Sequence, residues 1–472
     1  MSTHPLEEIL HPRSIAVVGA SGGGRGGGFI APLQELGYQG EIYPVNPKYS
    51  EVLGMKAYPS VKDIPGPVDY VISSIPASQV LGMIEDCSQK GVKVIHLFTA
   101  RFSETGRKEA AELEQEILRR IRKGGIRLIG PNCMGVYYPA EGISFGTGMS
   151  KESGPVGLIS QSGMAVGQVV GLAAQRGIRF SKAISYGNAL DFNECDYLEY
   201  FTQDPETKII LMYIEGVRDG RRFFNSLRKA TSTKPVIIVK GGRGKSGTRA
   251  TASHTASLAG SMGVFETLVS QTGAISARDL EELVDIACAF YYLPPIKGRR
   301  VGVAGGSGGS SVLAADQCEE AGLDVIPLPV EIREELKSKG NSIWDWIGNP
   351  ADFSIAMDNF DMGGMVQMMA THPSFDLLIL FMHGPWLRGR RRGRRISIDA
   401  HLKQYRLEEV SKEPLLVVLL EGGRGGDSDA ATRKVMAEMR TKLIEANIPI
   451  YPNIGRAAGA ASKVVDYYTR RK

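Results

Sequence analysis

The chain predicts an α/β protein made of successive parallel sheets, and three observations carry that fold class. Short apolar runs alternate with longer amphipathic stretches along its whole length, as β-α-β units require. Its 57 glycines cluster directly after the predicted strands, where the backbone turns tightly or approaches a ligand. Its 472 residues suit roughly three domains at about 150 residues each.

The first block carries strands over Ile15–Val18, Glu41–Val45, Tyr70–Ile75, Val92–Leu97 and Ile126–Ile129, with a helix over Lys108–Lys123. The second begins at Val156–Ser160, continues through a helix over Met164–Arg176, and adds strands at Ala183–Ser185, Ile209–Ile214 and Val236–Val239. A helix over Leu280–Phe290 ends it. Prolines followed by basic residues over 294–300 read as a linker. The third block has strands at Val301–Ala304, Leu377–Phe381, Leu415–Leu420 and Ile448–Tyr451. The expected domains are therefore 1–147, 148–296 and 297–472. The second and third blocks share an outline of strand, small-residue turn and helix: Ile159-Ser-Gln-Ser-Gly163 and Val303-Ala-Gly-Gly-Ser-Gly-Gly309.

Composition narrows the function classes. Hydrophobic content of 43% and charged content of 23% are those of a globular protein. A net charge of +5 does not by itself argue for nucleic acid and suits small anionic ligands. The five cysteines are widely spaced with no CxxC pair, so reduced thiols in a cytoplasmic protein are expected. Neither metal-ligand spacing, nor a signal peptide, nor a membrane-length apolar run is visible.

Three constellations point to phosphate chemistry. The first is Val17-Val-Gly-Ala-Ser-Gly-Gly-Gly-Arg-Gly-Gly-Gly28, directly after the first strand, where Rossmann folds set a phosphate loop against a helix start. The acidic ribose ligand of NAD sites is missing. The second strand ends instead in Val45-Asn-Pro-Lys48, which favours a phosphorylated nucleotide. The second constellation is Ser160-Gln-Ser-Gly163, where hydroxyls and exposed N–H groups can hold phosphate, or Ser160 or Ser162 can simply cap the helix. The third is Glu215, closing an apolar strand, together with His254 in Thr251-Ala-Ser-His-Thr-Ala-Ser-Leu-Ala-Gly260. A carboxylate there can hold one imidazole nitrogen and aim the other at phosphorus; alternatively Glu215 is exposed and caps a turn. Gly244-Lys-Ser246 resembles the end of a Walker A loop, but position 239 is valine where that motif needs glycine. Six arginines lie in Arg388-Gly-Arg-Arg-Arg-Gly-Arg-Arg395. They read as a solvated loop, or as contact with an acidic partner or anionic substrate; without aromatic interleaving they do not specify nucleic acid.

Taken together these segments resemble the α portion of the ADP-forming acyl-CoA synthetases, relatives of succinyl-CoA ligase. The resemblance runs from about Pro12 to the C-terminus. It is carried, in order, by 11–21, 40–48, Leu128-Ile-Gly-Pro-Asn-Cys-Met-Gly135, 158–163, Tyr186-Gly-Asn-Ala-Leu-Asp191, Tyr213-Ile-Glu-Gly216, Ser253-His-Thr255 and Leu258-Ala-Gly260. It implies a CoA-binding Rossmann-type domain followed by two flavodoxin-like domains. His254 would be phosphorylated during turnover, Glu215 would orient it, and Ser160, Gln161, Ser162 and Gly163 would hold the phosphate. Gly19, Ala20, Ser21, Asn46, Pro47 and Lys48 match CoA-binding positions, and Pro131 and Asn132 match the turn near the thiol. Arg101, Asn188, Ala189 and Asp191 are expected around the acyl group, Arg101 standing where the family's turn carries glycine. The implied reaction joins a small carboxylic acid to CoA with ATP hydrolysed to ADP and phosphate. Mg²⁺ would travel with the nucleotide, and no metal site is expected in this chain. The family's ATP-grasp half has no counterpart in the sequence, so a separate ATP-grasp β subunit is expected, in an α₂β₂ or similar assembly. Two other classes compete: a CoA-binding regulatory or scaffolding protein that kept the fold, and a phosphorelay protein using His254.

Overall fold

Strands that are apolar on both faces need helices on both sides, and this chain supplies them three times. In the computed structural model, residues 4–22, 28–247, 249, 261–341, 344–353, 360–383, 397–420 and 428–471 are described. The chain forms two compact units, Met1–Leu283 and Val284–Lys472.

The first unit holds two sheets. One comprises β1 (Ser14–Val18), β2 (Glu41–Val45), β5 (Tyr70–Ser73), β6 (Val94–Leu97) and β7 (Arg127–Ile129), all parallel, in the order β2-β1-β5-β6-β7; β3 (Glu51–Val52) and β4 (Met55–Lys56) form a small hairpin beside it. Every residue of β1, β5 and β6 is buried, as a sheet covered on both faces demands. The chain then enters the second sheet at β8 (Gly135–Tyr137), ahead of the boundary expected at 147. That sheet runs β13-β12-β11-β9-β10-β8, with β9 (Val156–Ser160), β10 (Phe180–Ser185), β11 (Ile209–Ile214), β12 (Val236–Lys240) and β13 (Ile275–Ala277) parallel and β8 antiparallel on the edge.

The second unit repeats the plan with β14 (Val301–Gly306), β15 (Ala351–Asp352), β16 (Leu377–His383), β17 (Leu415–Leu420) and β18 (Ile450–Tyr451), in the order β15-β14-β16-β17-β18. Its core joins Leu380, Val417 and Leu419 to Met365, Met369 and Met439 from flanking helices.

Each sheet reverses its order beside its first long strand, at β1/β5, β9/β11 and β14/β16, where open α/β sheets leave a crevice at the carboxyl ends. Glycine makes two of these reversals possible. A Cβ at Gly19 (φ +91) would meet Ser74 Oγ at 2.9 Å, and one at Gly305 (φ +89) would meet the Phe381 carbonyl oxygen at 2.4 Å. The helix after β9 spans Gly163–Ala174, shorter than the expected 164–176 because Gly177 turns left-handed. The arginine run and His254 lie outside the described residues. All five cysteines are buried and none forms a disulfide, and no described helix is long and apolar enough to cross a membrane.

One buried charge anchors the second sheet. Lys182 on β10 is 1% exposed; its Nζ lies 3.0 Å from Asp204, itself 3% exposed, and also meets Glu206. The ammonium sits 4.3 Å from the centroid of the Tyr138 ring. Removing one partner of such a pair strands the other charge in the interior. Lys182→Ala should therefore destabilise the first unit by about 3–5 kcal/mol, measured as a lowered urea midpoint.

Candidate functional site

The candidate site gathers at the carboxyl ends of the first two sheets. Gly19 N donates to the Val45 carbonyl at 2.9 Å, bringing the loop after β1 against the loop after β2. Asn46 locks the two together: its Nδ2 donates to the Ala20 carbonyl at 2.7 Å, and its Oδ1 accepts from Lys48 N at 2.9 Å. Asn46 is therefore a brace, and beyond it Pro47 and Lys48 are exposed at the rim. Ser21 is half-buried at the other side of the crevice.

Two strands along, the loop after β6 meets the turn after β7. Asn132 N donates to the Thr99 carbonyl at 3.0 Å, and Thr99 Oγ1 donates to the Ile75 carbonyl at 2.6 Å. Pro131 follows a cis peptide bond, and Asn132 has φ +59. Beneath this region His96 on β6 is fully buried, with Nε2–H donating to the Cys133 carbonyl at 3.0 Å. Burial drives its pKa down to about 4, against the opposing pull of that bond.

The second sheet is joined directly onto this turn. Asn188 N donates to the Pro131 carbonyl and Leu190 N to the Gly130 carbonyl, both at 3.0 Å. A Cβ at Gly187 (φ +55) would lie 2.2 Å from the Pro131 carbonyl oxygen, so only glycine fits. The Asn188 side chain donates to Glu104 at 2.7 Å and Glu114 at 3.1 Å, and Asn132 Nδ2 reaches its Oδ1 at 3.4 Å. Arg218, which sequence reasoning passed over, donates to the Asn188 carbonyl at 2.6 Å. Asp191 accepts from Arg127 Nε at 2.7 Å and Leu128 N at 3.0 Å. Arg127 in turn lies over the Phe192 ring at 3.8 Å.

The phosphate-loop candidate starts beside the same turn. A Cβ on Gly163 would meet Met134 Cγ at 2.9 Å. Ser162 is the N-cap of the following helix, accepting from Ala165 N at 3.3 Å, and Ser160 Oγ donates to the Ser162 carbonyl at 2.7 Å. The hydroxyls shape the loop, while the N–H groups of the first turn have no intrahelical acceptor. Gln161 turns its side chain sideways: Oε1 accepts from Glu215 N at 2.7 Å and Gly216 N at 3.2 Å. It is a second brace, and it fixes Glu215 at the β9/β11 reversal.

Glu215 is half-buried rather than a solvated cap. Tyr213 Oη donates to its Oε1 at 3.2 Å. Burial and the Glu215 charge push the Tyr213 hydroxyl up to about 12, so it stays a donor. Lys240, 4% exposed at the end of β12, donates to the carbonyls of Glu215 and Gly241, each at 2.6 Å. Burial lowers the Lys240 pKa, opposed by Glu215. A lysine closing an apolar strand was the sequence signal for this contact. β12, the neighbour of β11, ends at Lys240; His254 lies outside the described residues, which resume at Ser261 before the helix Met262–Thr272.

A glycine-loop domain joined to a flavodoxin-like domain, with a braced carboxylate at its crevice, defines a protein of the CoA-dependent ligase type. Family profiles agree: the CoA binding domain matches residues 13–139, and the succinyl-CoA ligase like flavodoxin domain matches 153–290. The chain is 38% identical, over 98% of its length and 97% of the relative's, to the α subunit of ADP-forming acetate–CoA ligase II of Pyrococcus furiosus. It is 32% identical to the ADP-forming 4-hydroxybutyrate–CoA ligase of Nitrosopumilus maritimus, over 79% of this chain and 54% of that one. Its structure matches the dinucleotide-forming acetyl-coenzyme A synthetase 1 of Ca. Korarchaeum cryptofilum, solved with phosphate and ADP, at a TM-score of 0.80 and 30% identity, covering 99% and 97% of the two chains. The chain belongs to the ADP-forming acyl-CoA ligases, in their α-subunit form.

Two outcomes follow from this geometry. Gly187→Ala forces a Cβ into backbone at a positive φ. It should cost at least about 1–2 kcal/mol, seen as a lower denaturation midpoint. His96 is held neutral in the fold, so the unfolded chain binds the extra proton first. Stability should fall as pH drops from 6.5 toward about 4, by up to roughly 3 kcal/mol. His96→Gln should flatten that part of the pH–stability curve.

Proposed function

We propose that this chain is the α subunit of an ADP-forming acid–CoA ligase, converting a small carboxylic acid, CoA and ATP to acyl-CoA, ADP and phosphate. The observation that carries this is Glu215, held by Gln161 beside the helix start at Gly163. A neutral imidazole attacks phosphorus well only if its other nitrogen has an acceptor, and Glu215 would be that acceptor. The His254 nitrogen would take the γ-phosphoryl group of ATP, releasing ADP. The acid's carboxylate would then take that group from His254 as an acyl phosphate. The CoA thiolate would attack the acyl carbon, forming the C–S bond and breaking the C–O bond to phosphate. The N–H groups at the start of the helix from Gly163, with Ser160 and Ser162 shaping the loop, would hold the phosphoryl group.

CoA would run along the crevice of the first sheet. Gly19, Ala20 and Ser21 present backbone to its diphosphate, Pro47 and Lys48 form the rim that Asn46 braces, and Pro131 and Asn132 lie by the thiol. Asn188 would line the acyl end, where its carbonyl and side chain are fixed by Arg218, Glu104 and Glu114.

A partner would supply the nucleotide site with its Mg²⁺, as an ATP-grasp β subunit in an α₂β₂ or similar complex in the cytoplasm. Met164 and Val264 support a covering partner. They are 75% and 68% exposed, one in the first turn of each helix flanking the site, where bare apolar side chains mark a contact surface.

Purified with its partner and given Mg²⁺-ATP, the chain should carry phosphate on His254, mapped by mass spectrometry without acid. His254→Ala should abolish the label, and Glu215→Gln should slow labelling about 10²–10⁴-fold. No label with the partner present would leave the chain a CoA-binding protein.

A further inference from the structure

Among the described residues, six other than glycine adopt a positive φ, and three of them meet at one place: Arg101 (φ 78), Asn132 (φ 59) and Ala189 (φ 55). Their loops are tied together by the bonds from Asn132 N to Thr99 and from Asn188 N to Pro131. Asparagine tolerates this conformation, but an arginine gains nothing from it that glycine would not give at lower strain. Clustered strain of this kind marks a functional position.

The Arg101 turn is also clamped. Glu104 accepts from Arg101 N at 2.5 Å and Phe102 N at 3.0 Å, and it takes a further bond from Asn188. The backbone is therefore fixed while the side chain is exposed, and no described residue pairs with its guanidinium. Glu104, three residues on, already accepts three hydrogen bonds, from Arg101 N, Phe102 N and Asn188 Nδ2. The turn follows β6, two strands from β1 in the order β1-β5-β6, roughly 10 Å away at the usual strand spacing. That separates it from a diphosphate at Gly19–Ser21 and leaves it beside Asn132 and Asn188.

We propose that Arg101 is a specificity-determining residue whose guanidinium receives a second carboxylate on the acid, so that this ligase selects short dicarboxylic acids over monocarboxylic acids of equal length. The planar fork of arginine matches a carboxylate with two parallel hydrogen bonds, and the rigid turn presents it at the acyl end. This rests on the ligase function proposed above.

The test compares kcat/KM of the complete complex for succinate against butyrate and glutarate against valerate, in the wild type and in Arg101→Gly and Arg101→Lys. Glycine relaxes the turn, so the first variant should fold. The dicarboxylate-to-monocarboxylate ratio should fall at least about 10-fold in Arg101→Gly and be partly restored in Arg101→Lys. An unchanged ratio overturns the proposal, as does a rise in KM for CoA with the ratio intact, which would make Arg101 a CoA contact. Calorimetric binding of succinate to the CoA-loaded complex is read in parallel. A complex that turns over no acid would refute the ligase function, yet binding lost in Arg101→Gly would still uphold the Arg101 site. Binding unchanged in the variant, or absent in the wild type, would overturn it.

Discussion

The contact on which the first unit depends is made between backbones. The amides of Asn188 and Leu190 close onto the carbonyls of Pro131 and Gly130, with Gly187 pressed where no side chain fits. Two sheets that could have been separate modules are thereby joined at the point where their crevices face the same turn. Backbone contacts do not hop between rotamers as side chains do, so the spacing between the two loop systems is set by main-chain hydrogen bonds and the close approach at Gly187. Group transfer between separately held ligands tolerates little slack; a misplacement of about 1 Å can cost on the order of 10²-fold in rate.

Around this joint, many polar side chains hold loops. Asn46 spans the loops after β1 and β2, Gln161 holds the amides of Glu215 and Gly216, and Asp191 pairs with Arg127. Loops braced in this way hold their main-chain N–H groups in fixed orientations. Such an arrangement is preorganised: its dipoles are already oriented and need not turn as charge moves.

The long strands were legible because their burial is continuous. β1, β5, β9, β11 and β12 read directly as apolar runs, and the loops after β1 and β9 were found from glycine and serine placed behind such runs. Three of the short edge strands were not legible. β8, β13 and β15 hold two or three residues and exist through pairing with neighbours, which no local pattern encodes. The bracing roles of Asn46, Gln161 and Asp191 were hidden for the same reason: their partners are backbone groups or charges up to 64 residues away. A residue type suited to ligand binding is equally suited to binding a loop, and only the fold separates the two. Lys240 and Arg218 were missed because their partners are carbonyl oxygens, common to every residue.

The buried cysteines have a consequence for chemistry involving a foreign thiol. Burial raises the pKa of Cys87, Cys133, Cys195 and Cys318, to about 12 for Cys133 and Cys318. Thiol–disulfide exchange proceeds through an accessible thiolate, and these side chains offer neither access nor charge. A mobile thiol carried through the crevice, or its oxidised dimer, therefore finds no sulfur on the folded chain with which to form a mixed disulfide. Cys133 makes the point most sharply, because it directly follows the Pro131-Asn132 turn and is only 3% exposed.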